Sequence, residues 1–152
     1  MTRTALLLAA VAGVLLATAG SSSAATSSWH LSGGGTADIS QVAVNVRIDG
    51  SGNAKGSFMC LMAGRSAFVL PPFGLSHIMA VHATPSSGEV DGTIVSFEGS
   101  GHVILDGQKL PIEIEVWVDV ATQTFQLTIV EGLGGEVSPG VEHLETGQLS
   151  LR

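Results

Sequence analysis

An imidazole beside a carboxylate is the smallest unit of acid–base chemistry this chain offers. Reading His77–Thr84 and Glu89–Phe97 as a hairpin around Pro85-Ser86-Ser87-Gly88 sets His82 opposite Asp91 and Thr84 opposite Glu89. A carboxylate at that position orients the ring and favours its charged form, which suits a general base or a metal ligand. The same arrangement is also an ordinary surface pair, worth less than about 1 kcal/mol. No nucleophile accompanies it. None of the serines stands in a G-x-S-x-G elbow, and that elbow needs a strand-to-helix turn. His82, Asp91 and Glu89 are thus the catalytic candidates for a hydrolase or isomerase.

A second constellation lies on one strand. Glu113 and Glu115 alternate with Ile112, Ile114 and Val116, so both carboxylates point to the same side, roughly 7 Å apart. That spacing falls loosely in the range of paired carboxylates in glycoside hydrolysis. Trp117 and Asp119 continue the face, with Gln126 and Thr128 across the next hairpin. An indole between hydrogen-bonding groups is a strip on which a sugar ring can stack. The plainer reading is the solvent face of an acidic sheet. A third candidate is the apolar, proline-containing stretch Ala63–Ser76, read as irregular, whose Phe68 and Phe73 plug a barrel end, pack as a satellite core or line a lip. The ligand-binding candidates are therefore Phe68, Phe73, Glu113, Glu115 and Trp117.

Other residue types carry less. His30, His77, His82, His102 and His143 show neither H-x-H nor H-E-x-x-H spacing, so no metal site and no cofactor are read from them. His77 and His82 fall on opposite faces of one strand. Asp49, Ser51 and Asn53 present oxygens in a loop, but the later bidentate Glu and the helical flanks of a calcium loop are missing. The single cysteine, Cys60, excludes an internal disulfide and reads as a small buried apolar residue.

These groups must be positioned by strands. Leu110, Ile112, Ile114, Val116, Val118 and Val120 alternate with polar residues, the period of two of a strand with one buried face. Asp106-Gly107 before it is the dipeptide of a two-residue hairpin, placing Val103 opposite Leu110. A four-residue loop at Ala121–Thr124 places Val120 opposite Phe125 and Val118 opposite Leu127. Val42, Val44, Val46 and Ile48 alternate in the same way, ahead of a dense turn signal at Asp49–Asn53. In Ala54–Met62 both faces are apolar, which predicts an interior strand. Gly33-Gly34-Gly35 marks a bend or bulge, and Glu98-Gly99-Ser100-Gly101 reads as a reversal. Val141–Leu144 and Gly147–Leu151 are short strands that close the sheet.

Composition agrees. The 152 residues hold 20 Gly and no Tyr, carry a formal charge of −7, and are only 12% charged. Six basic residues, scattered, form no patch that could neutralise a phosphate backbone, which argues against nucleic acid. Arg3, the apolar run Ala5–Ala17 and the small residues near Ala24/Ala25 form a secretory signal peptide over residues 1–25. The apolar run is too short for a membrane span. Residues 26–152 are expected to form a single domain outside the cytoplasm, secreted or periplasmic, of a bacterium.

The phrase VNVRIDGSGNAKGSFMC resembles small secreted bacterial all-β proteins of uncharacterised function, and the closing VEHLETGQLSLR is similar to them in the same way. The resemblance implies a shape and no activity. The meander pattern is also similar to lipocalin-like and avidin-like barrels, again as a shape.

The expected fold is all-β, an antiparallel meander barrel or sandwich of about eight or nine strands. The leading functional expectation is a non-enzymatic binding or interaction module for a small apolar or carbohydrate ligand or a protein partner. The alternatives are the His82/Asp91/Glu89 enzyme and a structural protein that assembles through an exposed edge strand.

Overall fold

The computed structural model describes residues 28–70 and 74–152, and the side chains of all of these but 64–70 and 74–77. The proposed leader and Pro71-Pro72-Phe73 lie outside the described residues. Nine strands follow in order: β1 Ser28–Thr36, β2 Gln41–Asp49, β3 Ala54–Leu70, β4 Gly74–Asp91, β5 Ile94–Leu105, β6 Gln108–Asp119, β7 Thr124–Glu131, β8 Val141–His143 and β9 Gln148–Leu151. All pair antiparallel in a single sheet ordered β8-β7-β6-β5-β4-β3-β2-β1-β9. The sheet is a meander curled into a half-barrel, which decides between the barrel and sandwich alternatives. No helix among the described residues is long and apolar enough to cross a membrane.

Alternation explains which face the curl encloses. Val42, Val44, Val46 and Ile48 of β2 and Ile112, Ile114, Val116 and Val118 of β6 are all buried, as their period of two predicts. With matching residues from β1, β3, β4, β5, β7 and β9 they form one apolar cluster on the inner face. Phe58 and Phe97 of this cluster meet edge to face, ring centroids 5.8 Å apart, a contact worth about 0.5–1.5 kcal/mol beyond its buried area. Cys60 is part of this core.

The turns use local chemistry. Asp106 and Gly107 take φ of 45° and 92° and join Leu105 to Gln108, so Val103 does pair with Leu110. In the β2–β3 turn the Asp49 carboxylate accepts hydrogen bonds from the Ser51 and Asn53 backbone N–H groups and from Asn53 Nδ2. Those bonds, from the Asn53 side chain above all, hold its pKa below the ordinary carboxylate value. Asp119 caps the β6–β7 turn likewise, accepting from Ala121 N at 2.9 Å and Thr122 Oγ1 at 2.9 Å.

Four expectations need correction. The β6–β7 loop is Val120–Gln123, so Val118 faces Phe125 and Val116 faces Leu127. The shift is by two residues, and a period of two preserves the faces. Neither Pro85–Gly88 nor Glu98–Gly101 is a reversal: both lie inside long strands that pair with each other, Pro85 opposite Gly99 and Ala83 opposite Gly101. A bulge between Pro85 and Ser87 absorbs the proline, and a Cβ on Gly101 would sit 2.0 Å from the His82 carbonyl oxygen. The actual turn is Gly92-Thr93, with Gly92 at φ 61°. The stretch read as irregular at Ala63–Ser76 contributes paired strand on both sides, Phe68 opposite Ser76 and Leu70 opposite Gly74. Finally, β3 is not an interior strand: Met59 is 45% exposed and Leu61 37%. The half-barrel has one core, so its outer face is bare even where it is apolar.

The sheet edges meet through side chains as well as backbone. Gln123 donates from Nε2 to the carbonyls of Val120 (2.5 Å) and Leu149 (3.0 Å), and its Oε1 accepts from Leu149 N (2.7 Å). Asp38 accepts from His143 N, while Glu142 Oε2 accepts from Ser40 Oγ and Ile39 N. These contacts seal the β7–β8 side to the β1–β9 side.

Candidate functional site

The outer face of β5, β6 and β7 holds two rows of side chains set by the strand register. Glu89, Ser96, Trp117, Gln126 and Val141 stand abreast across β4 to β8. Ser87, Glu98, Glu115 and Thr128 form the next row. Because the side chains of each row come from directly opposed residues, neighbours along a row stand about 5 Å apart at Cβ. The rows floor an open groove of about 820 Å³.

Its walls come from two different places. The β2–β3 turn leans over β4 through a hydrogen bond from Gly88 N to the Gly52 carbonyl, and both glycines line the groove. On the other side β8 adds Val141, which is 60% exposed. Trp117 lies half-buried between the walls. Gln126 Nε2 donates to Ser138 Oγ, and Ser87 Oγ donates to Glu98 Oε2, so two floor groups are already oriented. A smaller recess of about 330 Å³ adjoins it, shared by Glu98 and Glu115 and adding Glu113.

The structure therefore brings together Glu115, Trp117 and Glu89, with Glu113 next door. It does not bring Glu89 and Asp91 to His82. His82 faces His102 across β4 and β5, while Glu89 faces Ser96 and Asp91 faces Ile94. His82 and Asp91 are nine positions apart on β4, roughly 30 Å at strand rise. The hairpin that would have opposed them does not exist, because Pro85–Gly88 continues the strand. Phe68 lies on β3, with its side chain outside the described residues, and Phe73 is outside them altogether.

Sequence reasoning missed Ser96, Glu98 and the Gly52 wall. Glu98 was hidden by reading Glu98–Gly101 as a turn; the signal that could have found it is Gly92-Thr93, a two-residue hairpin loop with glycine first. Among the described residues no group of three or more His, Cys, Asp or Glu stands close enough to hold a metal. Burial pushes the Cys60 thiol up to about 12, with the Glu142 charge adding to the rise, so this cysteine is no nucleophile near neutral pH. Comparison of the chain with family models, curated proteins and solved structures finds no match.

Proposed function

We propose that this chain is an exported, non-enzymatic carbohydrate-binding module, with the β5–β7 groove as its site. The observation that carries the reading is the Trp117 row: an indole on the floor of a groove, with Ser96 and Gln126 beside it and Glu98, Glu115 and Thr128 in the adjoining row. A pyranose offers an apolar C–H face to the ring and hydroxyl groups to the flanking acceptors and donors. Three carboxylates, Glu89, Glu98 and Glu115, line the groove. They disfavour polyanionic sugars and suit neutral or amino sugars. Export rests on the leader-like residues 1–25.

Opposed Glu98 and Glu115 also invite a glycosidase reading. Both are exposed on an open face. No closed cleft is there to set one apart as acid and the other as base, and binding accounts for the groove without that requirement.

The test is a titration of the purified protein with neutral, amino and uronic oligosaccharides, followed by calorimetry and by indole fluorescence. Trp29 is also partly exposed, so fluorescence is read in a Trp29→Phe background. Binding of a neutral or amino sugar that drops at least tenfold in Trp117→Ala supports the reading. Sugar binding that survives Trp117→Ala, or no binding across the panel, sinks it.

A further inference from the structure

The outer face carries a second ligand-rich row, away from the groove. Met59 of β3 pairs with His82 of β4, and His82 pairs with His102 of β5, so three donor side chains stand abreast on adjacent strands. The two imidazoles already stack, centroids 5.2 Å apart and planes 16° from parallel. Met59 is 45% exposed, and with His82 it lines a recess of about 460 Å³. We propose that Met59, His82 and His102 form a site for a soft monovalent metal ion, Cu(I) in chemical class.

The donor set argues for that ion. It supplies two imidazole nitrogens and one thioether sulfur, all neutral, and soft sulfur ligands select Cu(I) over hard cations. The recess adds Leu61, Ala80 and the neutral oxygens of Thr36, Gln41 and Thr146 but no carboxylate, so calcium and magnesium find none of the anionic ligands that hold them in protein sites. A neutral donor set leaves a bound ion's charge uncompensated, which costs least for a single positive charge. The geometry is close. Metal–imidazole bonds of about 2 Å place two ligand nitrogens about 4 Å apart or less; rings whose centroids are 5.2 Å apart are within that reach, and both turn out of the stack about their side-chain torsions so that their in-plane lone pairs converge on one ion. Met59 has three rotatable bonds with which to bring its sulfur over the same point. None of this was visible in sequence spacing, because the three residues meet only through the β3–β4–β5 register.

Ag(I), a redox-inert stand-in for Cu(I), is the probe. The purified chain is used with Cys60→Ala, which removes the one thiol that would compete. Expected are one equivalent of Ag(I) by native mass spectrometry and calorimetry, with the Met59 methyl and both imidazole resonances shifting together in NMR. His82→Asn and His102→Asn should each weaken binding at least tenfold, and Met59→Leu should remove the preference for Ag(I) over Zn(II). Circular dichroism on each variant guards against misfolding, and the two His variants serve as each other's backup. The proposal is overturned if Ag(I) affinity is unchanged in the folded His82→Asn or His102→Asn protein. It is equally overturned if Met59→Leu leaves the Ag(I)/Zn(II) preference intact, or if the shifts appear at other histidines.

Discussion

Replacing Gln123 by Ala tests whether side chains hold the sheet's two sides together. The amide makes three hydrogen bonds: to Val120 O at 2.5 Å, to Leu149 O at 3.0 Å and from Leu149 N at 2.7 Å. At about 1 kcal/mol net for each, the side chain contributes about 3 kcal/mol, and Leu149 N–H and C=O left unpaired at a partly buried seam keep the loss from being smaller. Gln123 sits at φ 57°. Alanine bears the same left-handed backbone cost, so the comparison isolates the amide. Glycine in its place relieves that strain and should recover about 1–2 kcal/mol of the loss. The assay is equilibrium urea unfolding. With a slope of about 1–3 kcal/mol/M for a domain of this size, the midpoint should fall by about 1–3 M at unchanged slope. Gln123→Glu keeps the acceptor for Leu149 N–H but turns an oxygen toward two carbonyls, so it should fall at least as far. A drop below about 0.3 M for the alanine variant would refute the reasoning, and the seam would then rest on backbone pairing alone.

Glu142→Ala should cost about 2–3 kcal/mol in the same assay, because it removes the carboxylate acceptor of the buried Ser40 hydroxyl and the 3.2 Å bond from Ile39 N. Glu142 Oε1 is buried without a partner among the described residues, so Glu142→Gln, which keeps an oxygen for those donors, should cost less than Ala; an equal loss would refute this account of the site. Cys60 should resist an alkylating reagent at pH 8 in the folded protein and react fully in denaturant, since its thiol is pushed to about 12; rapid labelling of the folded chain would contradict that burial. Asp49 and Asp119 both have lowered pKa values, from Asn53 and Ala121 hydrogen bonds first. A depressed carboxyl pKa gives stability that is complete above the unfolded value, near 4, and is lost as pH falls through the folded value. The urea midpoint should thus decline below about pH 4, and the decline should be shallower in Asp49→Asn; identical profiles would count against the turn's role.

How much of this was legible from sequence depends on the range of the interaction. β2 and β6 were readable because alternation is local, and Asp106-Gly107 because the turn needs both positive φ values. The Trp117 strip was readable for the same reason: Glu113, Glu115 and Trp117 lie on one strand. Pro85–Gly88 and Glu98–Gly101 misled because proline, serine and glycine serve turns, bulges and close backbone approaches alike. Here the bulge of β4 sits opposite the glycines of β5, and only the pairing distinguishes the uses. Taking those two segments as turns broke two long strands into short ones. It invented the His82–Asp91 pair and hid both His82–His102 and Glu98. Met59 and Leu61 were placed inside because nothing in β3 itself says which apolar face meets the core.

The pairing of Leu31 with Leu151 has a kinetic consequence. β1 emerges early in synthesis, but the strand that covers one of its edges is β9. Contacts between residues so distant in sequence form slowly, since most of the loop-closure entropy must be spent before they contribute. The meander from β1 to β7 can zip up hairpin by hairpin, yet the seam waits for β8 and β9. Until then the nascent sheet remains an unsealed ribbon.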